Sequence, residues 1–421
     1  MLKKILFQVH WFIGITAGLI LAIVGSTGAL LAFETPIQNW LNRDARTVVA
    51  PSPESPMLSP TAMIRAIAEQ AAGKRVTSLQ FSGDPSMAVR VNFAPPAGGA
   101  SSAGSVGGRP RGETRYANPY TGALIEGNAS RGETFFRTTR SIHRWLVAGE
   151  FGNQDVGRQI VGASTLLCIF LALSGLYLRW PRRLGNWRVW LTFNPAMKGR
   201  AFLWHLHAVL GTWVLIGFLL MSATGLYWSY EWYRNGLFAM AGVDPPAPRT
   251  QRSQAGQARG ESERRGERSN RGEGAPELRD EQSLPIALDA AWMKFRDTVA
   301  ESNITNATLA FEPGRPIEVR YLLANASHDR SNNSMTLDPQ SGEMLKHDLY
   351  EAKRTGEKFM ASIFPLHSGS FFGLPGVVAY MIASLAMPVF TITGWMLYLD
   401  RRRRKRALPQ TDSSGYSPNA L

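Results

Sequence analysis

Seven histidines occur in the chain of 421 residues, and four of them recur at matching places in its two halves: His10, His143, His207 and His367. Imidazole binds transition metals as a neutral ligand at physiological pH. Two imidazoles facing each other suit haem iron in particular, which takes axial ligands on opposite faces of the porphyrin, and helix bundles supply them from facing helices. Copper or zinc could also use paired histidines, but no Met-x-Met run, cysteine cluster or carboxylate triad completes such a site. A single histidine at a helix end is most often a polar residue at an interface. An ionisable residue at membrane depth is costly and usually functional, and here four are placed by a repeat.

Four apolar blocks must position these histidines. Phe12 to Phe33 is 22 residues without a charge, Ile160 to Leu178 is 19, Ala208 to Tyr227 is 20 and Val377 to Leu399 is 23. Each approaches the roughly 20 residues a helix needs to cross about 30 Å of hydrocarbon. The first block begins His10-Trp-Phe-Ile-Gly14 and ends Thr27-Gly28, and the third begins His207-Ala-Val-Leu-Gly211 and ends Thr224-Gly225. The interval from histidine to final glycine is 18 residues in both. The second and fourth blocks share Ser174-Gly175 and Thr393-Gly394, each followed by a basic exit. His143 and His367 precede these two blocks. His205, two residues before His207, points to another face of the same helix and is the alternative ligand; the 18-residue register favours His207. The glycines near the histidines and the Thr-Gly steps would let a flat macrocycle approach the backbone, although close helix packing explains them equally well.

The formal charge of +14 raises the question of nucleic acid, and its location answers it. Lys3 and Lys4, the segment between blocks two and three, and the run Arg401 to Arg406 hold 14 basic residues, and with Asp400 and Asp412 of the same flanks they carry +12 of it. Short basic flanks stay cytoplasmic, so both termini are expected inside, the two long connections outside, and no nucleic acid as partner. The apolar N-terminus is too long for a typical signal h-region and reads as an uncleaved anchor. The single cysteine, Cys168, falls within block two, can form no internal disulfide and reads as a packing residue.

The outer connections repeat as well. Leu79-Gln-Phe81 through Val89-Arg90 aligns without a gap to Leu309-Ala-Phe311 through Val319-Arg320, an offset of 230. Asn118-Pro-Tyr-Thr-Gly122 answers Asp338-Pro-Gln-Ser-Gly342, a turn between strands. Each connection reads as one helix, near Thr61–Ala72 and Pro285–Phe295, followed by about three strands. Two inserts interrupt the pattern: Ala94–Gly112, rich in Gly, Ala, Ser and Pro, and Pro245–Pro276, almost without apolar residues. His328 and His347 read as plain surface residues of the second connection.

With the His-x-x-x-Gly starts, the Thr/Ser-Gly ends, the two turns and Leu366-His367-Ser-Gly369 before Phe372-Gly373-Leu-Pro-Gly376, the chain resembles the PepSY-associated transmembrane family over nearly its whole length. The resemblance implies an α-helical membrane bundle of four spans with two α+β PepSY-like periplasmic domains. Residues 1–34 form the first span, 35–142 the first domain and 143–180 an approach plus the second span. Residues 181–203 form a basic cytoplasmic loop, 204–230 the third span, 231–366 the second domain, 367–400 an approach plus the fourth span and 401–421 a basic tail. Some members of the family are similar to di-haem reductases of ferric siderophores in a bacterial inner membrane. The implied cofactors are two b-type haems on His10, His207, His143 and His367, and the implied substrate is a ferric siderophore or another Fe(III) chelate. The donor would be a cytoplasmic reductase or the quinone pool, since the chain has no Rossmann glycine fingerprint and no evident flavin site. One departure from the repeat is the first outer motif, His143-Arg-Trp-Leu, which lies 17 residues ahead of its apolar block where His367 lies 10 ahead. Arg144 stands where it could neutralise a propionate. The alternative is a haem-free membrane protein whose outer domains bind peptide or restrain a protease; a transporter is disfavoured because the apolar blocks hold no acidic residue.

Overall fold

The computed structural model describes residues 1–52, 55–71, 73–95, 112–125, 131–146, 153–180, 187–245, 284, 286–300 and 303–407. Residues 96–111 and 246–283, which make up most of the two inserts, lie outside the described residues, as does the motif Phe151-Gly152. In chain order the first elements are α1 (Leu2–Thr16), α2 (Gly18–Leu31), α3 (Glu34–Leu41), α4 (Arg43–Arg46), α5 (Pro60–Gln70), β1 (Val76–Ser82), β2 (Val89–Phe93) and β3 (Thr114–Ala117). Then come α6 (Glu133–Trp145), α7 (Gln154–Arg179), α8 (Trp187–Leu191), α9 (Gly199–Ser229), α10 (Glu231–Ala241) and α11 (Leu288–Thr298). The chain continues through β4 (Ile304–Ala310), β5 (Ile317–Leu323), β6 (Asn333–Leu337), β7 (Met344–Asp348), α12 (Thr355–Ser368) and α13 (Gly373–Ala407). Two compact units interleave in sequence: Met1–Glu34, Glu133–Tyr230 and Leu366–Leu421 form one, and Thr35–Gly132 with Glu231–Pro365 the other.

The first unit is helical. Gln154–Arg179, Gly199–Ser229 and Ser370–Arg404 are each long and apolar enough to cross a membrane. The pair α1 and α2 makes a fourth if counted as one span bent by 58°. The bend falls at Ala17, beside Gly18, whose carbonyl accepts a hydrogen bond from the Thr391 hydroxyl of α13 at 2.8 Å. A side chain bonded into the helix ladder is a recognised cause of a kink. Small residues let the helices approach: a Cβ at Gly25 would lie 2.5 Å from Met387 Cβ and 2.6 Å from the Ser384 carbonyl. Ala17, Leu21, Cys168, Val214, Phe218, Ala383 and Ala386 form the core, so Cys168 packs there as a free thiol.

The second unit is a seven-stranded antiparallel sheet in the order β3-β2-β1-β4-β5-β6-β7. The two α+β repeats expected as separate domains are therefore joined edge to edge through β1 and β4. Their junction pairs Leu79 with Leu309, which are each other's counterpart at the 230-residue offset, and both are fully buried. One hydrophobic core runs through both repeats, from Met63 and Ile67 of α5 to Leu288 and Phe295 of α11 and the strands beneath. Asp289 ties the repeats again, accepting from the Ser59 hydroxyl and the Thr61 amide at the start of α5, both at 2.8 Å. The paired turns fold alike. Asn118 and Asp338 accept backbone amides through their side chains, while Gly122 and Gly342 adopt φ of +71° and +76° against Ala66 and Ala290. Helix α5 matches the expected range, and α11 starts three residues later than Pro285 and ends at Thr298.

One expectation about this unit is overturned. His328 is not a surface residue but is 5% exposed. Its Nδ1 accepts the Arg330 amide at 3.1 Å, which leaves the ring proton on Nε2, shared between the hydroxyls of Tyr350 (3.0 Å) and Ser362 (3.2 Å). Burial holds its pKa below the usual histidine value. The flanking Ser-His-Asp-Arg-Ser is wholly polar, so nothing in the local pattern announces a buried ring. His347 is half-buried, its Nε2 2.8 Å from the Tyr321 hydroxyl.

Candidate functional site

The four histidines sit in one recurring arrangement within the helical unit. His10 lies on α1, and its Nδ1 is 2.8 Å from the hydroxyl of Ser174 on α7. His207 lies on α9, and its Nδ1 is 2.9 Å from the hydroxyl of Thr393 on α13. His143 on α6 places Nδ1 2.9 Å from the Val24 carbonyl and 3.1 Å from the Thr27 hydroxyl of α2. His367 on α12 places Nδ1 3.0 Å from the Met221 carbonyl and 3.1 Å from the Thr224 hydroxyl of α9. Val24 and Thr27 correspond to Met221 and Thr224 at the same offset that relates His10 to His207.

These contacts decide the tautomer. A carbonyl only accepts, so Nδ1 of His143 and of His367 must donate. The threonine hydroxyls spend their own protons on the preceding helical turn: Thr27 on Ile23 O (2.8 Å), Thr224 on Leu220 O (2.6 Å) and Thr393 on Val389 O (2.7 Å). Ser174 does the same, more weakly, with Leu171 O at 3.3 Å. Each threonine hydroxyl thus presents a lone pair, so Nδ1 of His143, His207 and His367 carries a hydrogen and Nε2 keeps a lone pair, while Ser174 anchors Nδ1 of His10 at the equivalent place. None of the four Nε2 atoms makes a hydrogen bond among the described residues. A histidine fixed through Nδ1–H with Nε2 unpaired is the form that binds a metal.

The second members of the Thr/Ser-Gly dipeptides have a matching role. A Cβ at Gly28 would stand 3.1 Å from Cε1 of His143, at Gly225 3.2 Å from Cε1 of His367, and at Gly175 3.3 Å from Cε1 of His10. The hydroxyl aims the ring and the glycine clears its edge. The fourth dipeptide is looser, with nothing within 4 Å of a Cβ at Gly394; there the His207 ring meets Phe390, centroid to centroid 5.0 Å.

His143 and His367 come together, ring centroids 6.3 Å apart and planes at 63°. Two imidazoles on opposite sides of one metal, with metal–nitrogen bonds of about 2.0–2.1 Å and about 1.1 Å from nitrogen to ring centre, have centroids about 6.3 Å apart. The longer approach before the second span thus does not keep His143 from its partner. His10 and His207 line one cavity of about 1070 Å³, with Trp11, Gly175, Phe218, Phe390 and Gly394 among its walls and Lys3, Lys4, Arg200 and Arg401 among its basic residues. An apolar chamber with a few charged groups at hand suits a large flat ligand bearing acidic groups. His205 is set apart: its ring stacks on Phe193 and its Nε2 accepts the Asn194 amide at 3.2 Å. Arg144 lies over the Trp145 ring, 4.7 Å from its centroid. Among the described residues no three His, Cys, Asp or Glu side chains gather as a metal-ion cluster.

The family model described as PepSY-associated TM region matches residues 7–401. The chain belongs to this family. Its PepSY_TM match spans both histidine pairs, all four Thr/Ser-Gly steps and both β repeats, and with its apolar helices this member is a membrane protein. No curated protein matches the chain. The hydroxyl partners of the histidines, Ser174, Thr27, Thr393 and Thr224, are what the structure adds. The repetition of Thr-Gly and Ser-Gly at fixed distances is the signal in the sequence that points to them.

Proposed function

We propose that this PepSY_TM protein holds two b-type haems, one at each histidine pair, and passes electrons across a bacterial inner membrane to a ferric siderophore or similar Fe(III) chelate. The observation that carries the reading is the fourfold Nδ1 anchoring, which prepares four Nε2 atoms in two pairs. When bound, haem supplies a one-electron Fe(III)/Fe(II) couple that no side chain provides. His10 with His207, and His143 with His367, would hold it, and Ser174, Thr393, Val24, Thr27, Met221 and Thr224 would fix the rings and raise their basicity. The basic residues of the His10 cavity, Lys3, Lys4, Arg200 and Arg401, would balance propionate charge.

The basic flanks support a topology with both termini and the loop between the second and third spans in the cytoplasm. His10 and His207 then belong to the inner side, His143 and His367 to the outer, and the sheet unit is periplasmic. Reduction of a ferric chelate makes physical sense there, because hard oxygen donors bind Fe(II) far less tightly than Fe(III), so one electron frees the metal. The test is the visible spectrum of the detergent-purified protein, oxidised and reduced by dithionite, with a haem count per chain. The expected result is a sharp bis-histidine b-type α-band at about two haems per chain, reoxidised by ferric siderophore. A colourless protein from haem-replete cells would sink the proposal in favour of a haem-free PepSY binding role.

A further inference from the structure

Beside the cavity that holds His10 and His207 lies a recess of about 660 Å³ lined by Gln8, Val9, Trp11, Phe12, Tyr398, Arg401 and Arg402. Gln8, Trp11, Tyr398 and Arg401 line both spaces, so the recess adjoins the histidine cavity along a shared wall. That wall is aromatic: Trp11 and Tyr398 stack with centroids 5.0 Å apart and planes at 19°. It also carries an unused donor, for the indole Nε1 of Trp11 is buried and has no hydrogen-bond partner. A buried N–H without an acceptor is costly unless something supplies one. The Gln8 amide, beside it on the wall, offers further N–H donors, and the Arg401 guanidinium, 5.2 Å from the Phe7 ring centroid, adds a positive charge.

We propose that this recess binds a membrane quinol and that the quinol is the electron donor. The inference rests on the haem reading above and commits it to one donor class. A quinol has the three features the recess matches: a flat ring for the Trp11–Tyr398 wall, oxygens that accept from the Trp11 and Gln8 N–H groups, and an isoprenoid tail that stays in lipid. The recess lies between α1 and the C-terminal part of α13. Oxidation of one quinol breaks two O–H bonds, releases two protons to water at the basic end and yields two electrons. Two one-electron acceptors, which haem held at the two histidine pairs would supply, balance the step and leave quinone. A soluble cytoplasmic reductase would need an exposed docking face and would leave the indole N–H unexplained.

The test uses the full-length protein in phosphatidylcholine nanodiscs, with haem content measured first. An azido-quinone is photolysed with the protein and the labelled peptides are mapped, a readout that does not depend on haem. Labelling within residues 8–12 or 398–402, competed by decylubiquinol, is expected. In anaerobic stopped flow, decylubiquinol should reduce the wild-type haems, and Trp11→Phe, which keeps the ring and loses the N–H, should slow this at least tenfold. Because Trp11 also lines the histidine cavity, the haem content of that variant is measured first and its quinol rate is taken relative to its own dithionite rate. Labelling elsewhere, competition by phosphatidylglycerol but not by quinol, or an unaltered quinol rate in Trp11→Phe would overturn the proposal. A haem-replete protein reduced by dithionite but not by quinol refutes the donor assignment alone. A haem-free protein refutes the reductase reading, while the labelling still reports on the recess.

Discussion

Replacing Thr393 by valine removes one oxygen from the protein and keeps its shape. Both residues are β-branched, so helix α13 is little disturbed. What changes is the environment of His207, whose Nδ1–H has the Thr393 hydroxyl as its hydrogen-bond partner at 2.9 Å in a buried position. Stranding a buried donor costs about 1–3 kcal/mol, or a factor of about 5 to 150 in the affinity of any ligand that needs the ring so oriented. The equivalent change at the other level, Thr224→Val, should be milder. There His367 Nδ1 keeps the Met221 carbonyl at 3.0 Å after the hydroxyl is lost. Only about 0.5–1 kcal/mol, a factor of about 2 to 5, is then at stake. The assay is the rate at which each variant surrenders haem to excess apomyoglobin in detergent, the two haems being followed by their distinct α-bands. Thr393→Val should accelerate loss of one haem several-fold more than Thr224→Val accelerates loss of the other. Equal rates in the two variants would refute the reasoning, because the hydroxyl would then not be what holds the His207 tautomer.

Three further outcomes follow from the geometry. His207→Ala should remove one haem and His205→Ala none, read by haem count per chain; the reverse result would transfer the ligand role to His205. Gly25→Leu, which drives a side chain into Met387 and the Ser384 carbonyl, should lower the melting temperature of the detergent-solubilised protein by several degrees, whereas Gly236→Leu on α10, with nothing within 4 Å of its Cβ, should not. Acid should weaken the sheet unit: with the folded pKa of His328 depressed, the unfolded chain binds the extra proton, so stability falls as pH drops through the ordinary histidine value near 6.5. His328→Gln should flatten the dependence of the melting temperature on pH between 7 and 5, and an unchanged slope would assign it to other groups.

Hydropathy alone located the apolar helices, because a span must be apolar along nearly its whole length. The internal repeat did more. The 18-residue register picked His207 over His205, and the 230-residue offset named Leu79 and Leu309 as equivalents before the sheet paired them. What stayed hidden depends on contacts between distant segments. The bend at Ala17 is tied to a hydroxyl supplied by Thr391, more than 370 residues away. The joining of the two β repeats into one sheet is invisible in either strand taken singly, since β1 and β4 would read the same at an edge. His328 is buried by Tyr350 and Ser362, which its neighbours in sequence do not foretell.

The pairing of Leu79 with its own counterpart Leu309 has an evolutionary corollary. An antiparallel contact centred on equivalent residues is self-complementary, the kind made by two identical chains around a twofold axis. A protein of half this length would carry β1 as an open edge, and the natural cover for that edge is a second copy. The histidines fit the same ancestry: His10 and His143 come from one half, His207 and His367 from the other, and each pair takes one member from each. The present chain is in this light a fused homodimer, and the fusion freed its halves to diverge. One half could then keep Gly175 tight against an imidazole while its twin at Gly394 opened, giving the two sites different surroundings that a symmetric pair of chains could never have had.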